Sequence, residues 1–110
     1  MDLKFRLRVS LGVRISQVMK SGVKASEKTL VLIGCSLQEL MCHLEARFMP
    51  GMTWKNYGRY GWHIDHVVPC CSFDLTDEKQ QRACFHFTNL QPLWWRENLS
   101  KGGRVHAAGV

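Results

Sequence analysis

The stretch from Trp62 to Pro69, WHIDHVVP, limits what the chain can fold into more than any other segment. Two imidazoles and a carboxylate fall within four consecutive positions, His63 to His66, between an aromatic anchor and the β-branched pair Val67 and Val68. Ionisable groups held so close lose hydration and repel when alike in charge, so burying them is costly unless something uses them. The segment therefore marks the first place to look for chemistry.

Downstream, Thr76 followed by Asp77 and Glu78 marks a short helix to about Phe85, with its acids where the helix dipole favours them. Asn89 to Trp94 (NLQPLW) reads as a second strand, and Pro92 inside it argues for an edge or irregular strand. Trp95 to Ser100 opens a last helix, which Gly102-Gly103 ends. Residues from 62 onward thus read as strand, connection with a helix, strand, helix.

Upstream the pattern is helical but less uniform. From Leu3 to Ile15 apolar and polar residues alternate, which is a strand signal, yet Leu3, Leu7, Leu11, Ile15, Val18 and Met19 also share one helical face. Periodicity does not decide between them; a helix over about residues 4–20, ended near Ser21-Gly22, is the preferred reading. Ser26 or Lys28 is placed to start a short helical turn ending at Gly34. Ser36 followed by Glu39 fits a capping box, and Leu37, Leu40, Met41, Leu44 and Phe48 then recur at helical spacing until Pro50-Gly51. Met52 to Gly61 reads as a loop whose aromatics Trp54, Tyr57 and Tyr60 pin it to the body of the protein.

At 110 residues the size prior is one domain, and 45% hydrophobic content with four Trp and five Phe excludes a disordered tail. The net charge of +6 points to a polyanionic partner, most simply nucleic acid. Residues 1–30 hold seven Lys/Arg (Lys4, Arg6, Arg8, Arg14, Lys20, Lys24, Lys28) against Asp2 and Glu27. A charge run is usually a solvated helix face, but with a nucleic-acid substrate Arg6, Arg8, Arg14, Lys20 and Lys24 become candidate phosphate contacts, joined by Lys101 and Arg104 near the C-terminus. The first fifteen residues lack the continuous apolar core of a signal peptide, and the longest apolar run, contained in Thr29 to Leu37, is far short of a membrane span. A soluble, cytoplasmic protein is the expectation, with its five Cys as reduced, mostly buried thiols.

His63, Asp65 and His66 gain meaning with Asn89 and Asn98 downstream. A neutral His takes a proton from water, while a carboxylate and an amide oxygen suit a hard divalent cation. Together they describe metal-assisted attack of water on a phosphodiester. Taken singly, Asn89 and Asn98 would be turn or cap residues; only the constellation raises them.

DHVVP, the Asn leading NLQPLW, and ENLSKG, in that order, resemble the HNH endonucleases of the ββα-metal fold, especially the short forms of bacteriophages and mobile elements. The resemblance covers residues 62–102, and LIGCSLQEL and GMTW are similar to the helical lead-in of that phage group. It implies an α+β chain with a mainly helical basic lead-in (residues 1–61), a ββα-metal core (62–102) and a tail (103–110). It further implies a DNA endonuclease leaving 5′-phosphate and 3′-hydroxyl ends, in the host cytoplasm if phage-encoded. By position His66 is similar to the general base, Asp65 to the first metal ligand, Asn98 to the second, and Asn89 to the structural Asn that ties the loop and orients the base. His63 is open: it would assist the metal, contact phosphate, or buttress Asp65. A homodimer or a phage protein partner is compatible with the type.

Asn98 stands where many members of the family have His, giving a His-Asn-Asn variant suited to Mg²⁺ or Mn²⁺ rather than to catalytic zinc. Cys70, Cys71, Cys84 and His86 are close enough in sequence to suggest structural zinc, but no C-x₂-C pair is present, and buried free thiols fit better. The doubled Trp94-Trp95 is expected to put one ring in the core and one near the surface. A regular strand would point His63 and Asp65 to one face and His66 to the other, so the nuclease reading requires the strand to twist or end near His66. The rival expectation is a catalytically silent DNA-binding or packaging-accessory protein that keeps the fold and its basic face.

Overall fold

A computed structural model describes residues 3–21 and 25–101. The chain is α+β: three helices, α1 (Leu3–Ser21), α2 (Glu27–Ile33) and α3 (Leu37–Glu45), precede a strand β1 (Trp62–His66), a helix α4 (Glu78–Phe85), a strand β2 (Leu90–Trp94) and a helix α5 (Trp95–Lys101). Among the described residues no helix is long and apolar enough to cross a membrane.

The ambiguous N-terminal segment is helical. Leu11 and Ile15 are buried, with Leu7 and Met19 packed against the same core, giving one stripe at four-residue spacing. Val9 and Val13, which completed the alternating pattern, are exposed. The strand signal therefore came in part from residues that the fold leaves in solvent.

Local capping sets the next boundaries. Ser26 Oγ accepts from the Thr29 N–H at 3.2 Å to start α2, and Gly34 ends it in the left-handed region at φ 75°. A side chain at Gly34 would also meet the His86 ring, with a Cβ only 2.6 Å from Cδ2. The Ser36–Glu39 capping box forms reciprocally, at 3.1 and 3.2 Å, and α3 buries Leu40 and Leu44 completely. At α4 the cap is Asp77, which accepts from the Lys79 N–H at 3.0 Å, one residue beyond the expected Thr76. Thr76 is instead held by Asp74, whose Oδ1 accepts from both its N–H and its hydroxyl.

β1 and β2 form a two-stranded antiparallel sheet in the register Trp62↔Trp94, Ile64↔Pro92 and His66↔Leu90. With two strands both are edges, which accommodates Pro92 without loss of an interior ladder bond. Trp62 is fully buried beneath Phe48, Trp54 and Tyr57, with ring centroids 5.1, 5.2 and 4.6 Å away, and its Nε1–H donates to the Thr53 carbonyl at 2.7 Å. Of the three loop aromatics expected to pin the 52–61 segment, Trp54 and Tyr57 do so; Tyr60 is 70% exposed.

Two further expectations are corrected. The thiols are free, but only Cys70 and Cys84 are buried, whereas Cys42 and Cys71 are exposed and Cys35 is half-buried. Cys70 and Cys71 share a 3₁₀ turn, Cys70–Ser72, in which neighbours diverge by a third of a turn, so one faces inward. Trp94 and Trp95 are both half-buried: Trp94 packs at the edge of the core, and Trp95 meets Tyr60 edge-on at 5.5 Å.

Candidate metal and phosphate site

Alternation along β1 divides the ionisable cluster. His63 and Asp65 share one face; Ile64 and His66 share the other. α5 packs on the hairpin and brings Asn98 to the first face, where its Nδ2 donates to His63 Nδ1 at 3.2 Å. The other nitrogen, His63 Nε2, lies 3.1 Å from the Arg59 carbonyl. A carbonyl can only accept, so His63 carries its proton on Nε2 and links the 59 loop to α5. Both ring nitrogens are engaged, which makes His63 a buttress for Asn98; to ligate a cation it would have to give up one of these partners.

Asp65 is buried, and its Oδ2 accepts from Gln91 Nε2 at 2.9 Å, directly across the sheet. Gln91 was not singled out in the sequence, although its place opposite Asp65 follows once the strand register is known. The oxygens of Asp65 and Asn98 suit a hard cation that keeps several waters, such as Mg²⁺. With Nδ2 of Asn98 held by His63, its amide oxygen is the atom left to face such an ion.

Asn89 lies in the 3₁₀ turn Phe87–Asn89 and closes the end of the hairpin. Its carbonyl accepts from Val67 N–H at 2.8 Å and its Oδ1 from Val68 N–H at 2.9 Å. Its Nδ2 donates to the carbonyls of Val68 at 3.1 Å and Cys84 at 2.8 Å. The Asn89 backbone thus adds one rung of pairing at Val67, and its side chain stands in for another at Val68. Of the two departures that would serve the nuclease reading, a twist or an end near His66, the structure has the second: pairing stays regular through His66, and β1 ends there.

Strand alternation sets His66 on the other side from Asp65, while at the end of the strand His66 and His63 border one cleft. The His66 ring packs edge-on against Phe85 with centroids 4.8 Å apart, Nε2 is buried, and its neighbours are Cys70 and Cys84. The Cys84 thiol donates to Cys70 Sγ at 3.3 Å. This bond, aided by His66 and Arg8 and opposed by burial, holds Cys70 below the usual thiol range. Sharing that proton and being buried push Cys84 upward.

A cleft of about 270 Å³ opens beside His66. Its walls include Gly12, Ser16 and Lys20 of α1, Tyr57 and Arg59 of the loop, and His63. Lys20 also lies over the Tyr57 ring at 5.7 Å. Of the predicted phosphate contacts, Lys20 lines this cleft, Arg6 and Arg8 are exposed elsewhere on α1, and Arg14 is half-buried beside α2. Lys101 is the last residue of α5, and Lys24 and Arg104 lie outside the described residues. Arg59, not singled out in the sequence, also lines the cleft; the only hint was a cation among aromatics and glycines in YGRYG.

No protein-family model matches the chain, and no solved structure matches it. Two uncharacterized proteins of Acanthamoeba polyphaga mimivirus are similar to it. One is 39% identical over 104 residues, covering 94% of this chain and 45% of that protein. The other is 37% identical over 100 residues, covering 91% of this chain and 43% of the relative. The chain therefore spans less than half the length of the curated relatives it matches.

Proposed function

We propose that the protein is an HNH-type, divalent-metal-dependent DNA endonuclease, with a cation held by the oxygens of Asp65 and Asn98. The observation that carries this reading is the meeting of Asn98 with His63 at 3.2 Å across 35 positions of sequence, on the face of β1 that also carries Asp65. When bound, Mg²⁺ or Mn²⁺ would neutralise charge on the phosphoryl and leaving oxygens. The chain's own groups do the rest. His66, bordering the cleft, takes the proton of the attacking water. Lys20 and Arg59 hold the phosphate backbone there, and Asn89 fixes the backbone on which His66 is carried.

Two features favour a second reading, a DNA-binding or packaging-accessory protein without catalysis. His66 and Asp65 leave the strand on opposite faces, and Gln91 already engages Asp65. Incubation of plasmid DNA with the protein and Mg²⁺ or Mn²⁺ separates the two. The nuclease reading expects nicked or linear product, lost by a factor of at least about 100 in His66→Ala, with DNA binding retained. Cleavage that survives this substitution refutes the role of His66, and binding without cleavage under either metal favours the silent module.

A further inference from the structure

The side chains behind β1 converge on a second cation site, of different chemistry from the Asp65 and Asn98 oxygens. We propose that His66, Cys70 and Cys84 bind a thiophilic d¹⁰ cation, Zn²⁺ in the first instance, through one imidazole nitrogen and two sulfurs. Their ligand atoms all lie within 4.8 Å of one another. Tetrahedral zinc with Zn–S bonds of about 2.3 Å places its two sulfurs about 3.8 Å apart. The sulfurs of Cys70 and Cys84 are 3.3 Å apart, so they need to open by roughly half an ångström to take the metal. Two sulfurs and an imidazole select zinc over magnesium, because soft donors lose little hydration and hard cations gain little from them.

The scaffold is already fixed. Cys70 opens a 3₁₀ turn directly after Pro69, and Cys84 lies in the last turn of α4. Asn89 donates to the carbonyls of both Val68 and Cys84, so one side chain ties the segment before Cys70 to the segment carrying Cys84, at the end of the strand bearing His66. Asn89 is a positioning residue for this site. Three protein donors leave a fourth position for water, and His66 borders the cleft from which water would enter. The thiol protons leave to solvent on binding, so uptake strengthens with rising pH.

A consequence rests on the nuclease reading above: a zinc-bound His66 has no lone pair for a water proton, so zinc at this site silences cleavage supported by Mg²⁺. The sequence concealed the site because the imidazole comes from His66, four positions before Cys70, and not from His86 beside the cysteines.

The test uses the reduced, intact protein. It is expected to take up one equivalent of Zn²⁺, and Co²⁺ in its place gives thiolate-to-metal charge transfer in the near ultraviolet. Cys70→Ala and Cys84→Ala each weaken binding by at least about 100-fold, and Cys71→Ala leaves it unchanged. Should the core variants fail to fold, X-ray absorption on zinc-loaded wild type decides: two sulfurs at about 2.3 Å uphold the site, and a shell of nitrogen and oxygen alone overturns it. No charge-transfer band in the folded wild type also overturns it. One equivalent of Zn²⁺ then suppresses Mg²⁺-dependent cleavage by the wild type but not by Cys84→Ala. If no cleavage exists, the binding results still decide the zinc site, so the two readings fail separately.

Discussion

Asn98 on the last helix donates to His63 on the first strand of the hairpin at 3.2 Å, and His63 passes the connection on to the Arg59 carbonyl at 3.1 Å. One imidazole thus couples α5 to the loop that lines the cleft. It also engages the Asn98 amide through its nitrogen, which leaves the oxygen for the cation proposed above.

Asn98→Ala removes that oxygen and frees the imidazole. Mg²⁺ or Mn²⁺ affinity should fall at least 10- to 100-fold, roughly the loss seen when groups around a metal are removed. His63→Ala should give a smaller loss, since it only releases the amide. Calorimetric titration of metal into each variant checks the order; equal affinity in Asn98→Ala and wild type would remove Asn98 from the metal site.

Asn89 should matter to stability before it matters to chemistry. Asn89→Ala leaves Val68 N–H and the Val68 and Cys84 carbonyls without their side-chain partner. A cost of about 1–3 kcal/mol per group left buried and unsatisfied is the relevant scale, reduced where water reaches Val68. Urea unfolding should show a destabilisation of roughly 2 kcal/mol or more, and hydrogen exchange should quicken at Val67 and Val68. A variant as stable as wild type would show that the clamp is dispensable.

Gly61 is required by close approach rather than by dihedral angle. A Cβ there would lie 1.5 Å from the Asn56 backbone oxygen, an impossible contact that only movement of the main chain relieves. Gly61 also accepts the Trp95 N–H at 2.9 Å where α5 begins. Gly61→Ala should cost about 1–3 kcal/mol or more, the scale of overpacking. Because the shift reaches α5, metal affinity should drop as well. Thermal unfolding gives the first quantity, and unchanged stability would contradict the packing described.

His43 supplies a pH dependence. Burial pushes its imidazolium below the ordinary value of 6.5; the Leu90 carbonyl acts in the opposite sense, and Arg47 and His86 act with burial. Between the folded value and 6.5 the unfolded chain binds more protons, so stability is fully present above 6.5 and is lost as pH falls through the folded value. His43 Nε2 lies 2.8 Å from the Leu90 carbonyl, and His43→Gln keeps a donor there without the titration. Denaturation midpoints from pH 8 to 5 should therefore fall less steeply in His43→Gln. Parallel curves would assign the slope to another group.

What was legible in the sequence is what short-range physics decides. Ser26, Ser36 and Gly34 set helix ends because a cap needs partners only three or four residues away. The hairpin and its closing helix followed from β-branched and aromatic runs, and the stripe Leu40, Leu44 from helical spacing. The N-terminal segment was ambiguous because Val9 and Val13 are apolar without being buried. Local pattern records side-chain type, and only packing into the common core decides which apolar residues are used.

The sequence by itself determined the order of elements and the residue types available for chemistry: two histidines and a carboxylate on one strand, with amides downstream. Tertiary structure decided how they are divided. Regular pairing, extended by Asn89, sends Asp65 and His66 to opposite faces; α5 then sets Asn98 against His63, while α4 and the Cys70 turn set two sulfurs beside His66. The Cys70–Cys84 and His63–Asn98 meetings join residues 14 and 35 positions apart. They depend on strand register and helix docking, terms set by burial of the whole core rather than by any local stretch.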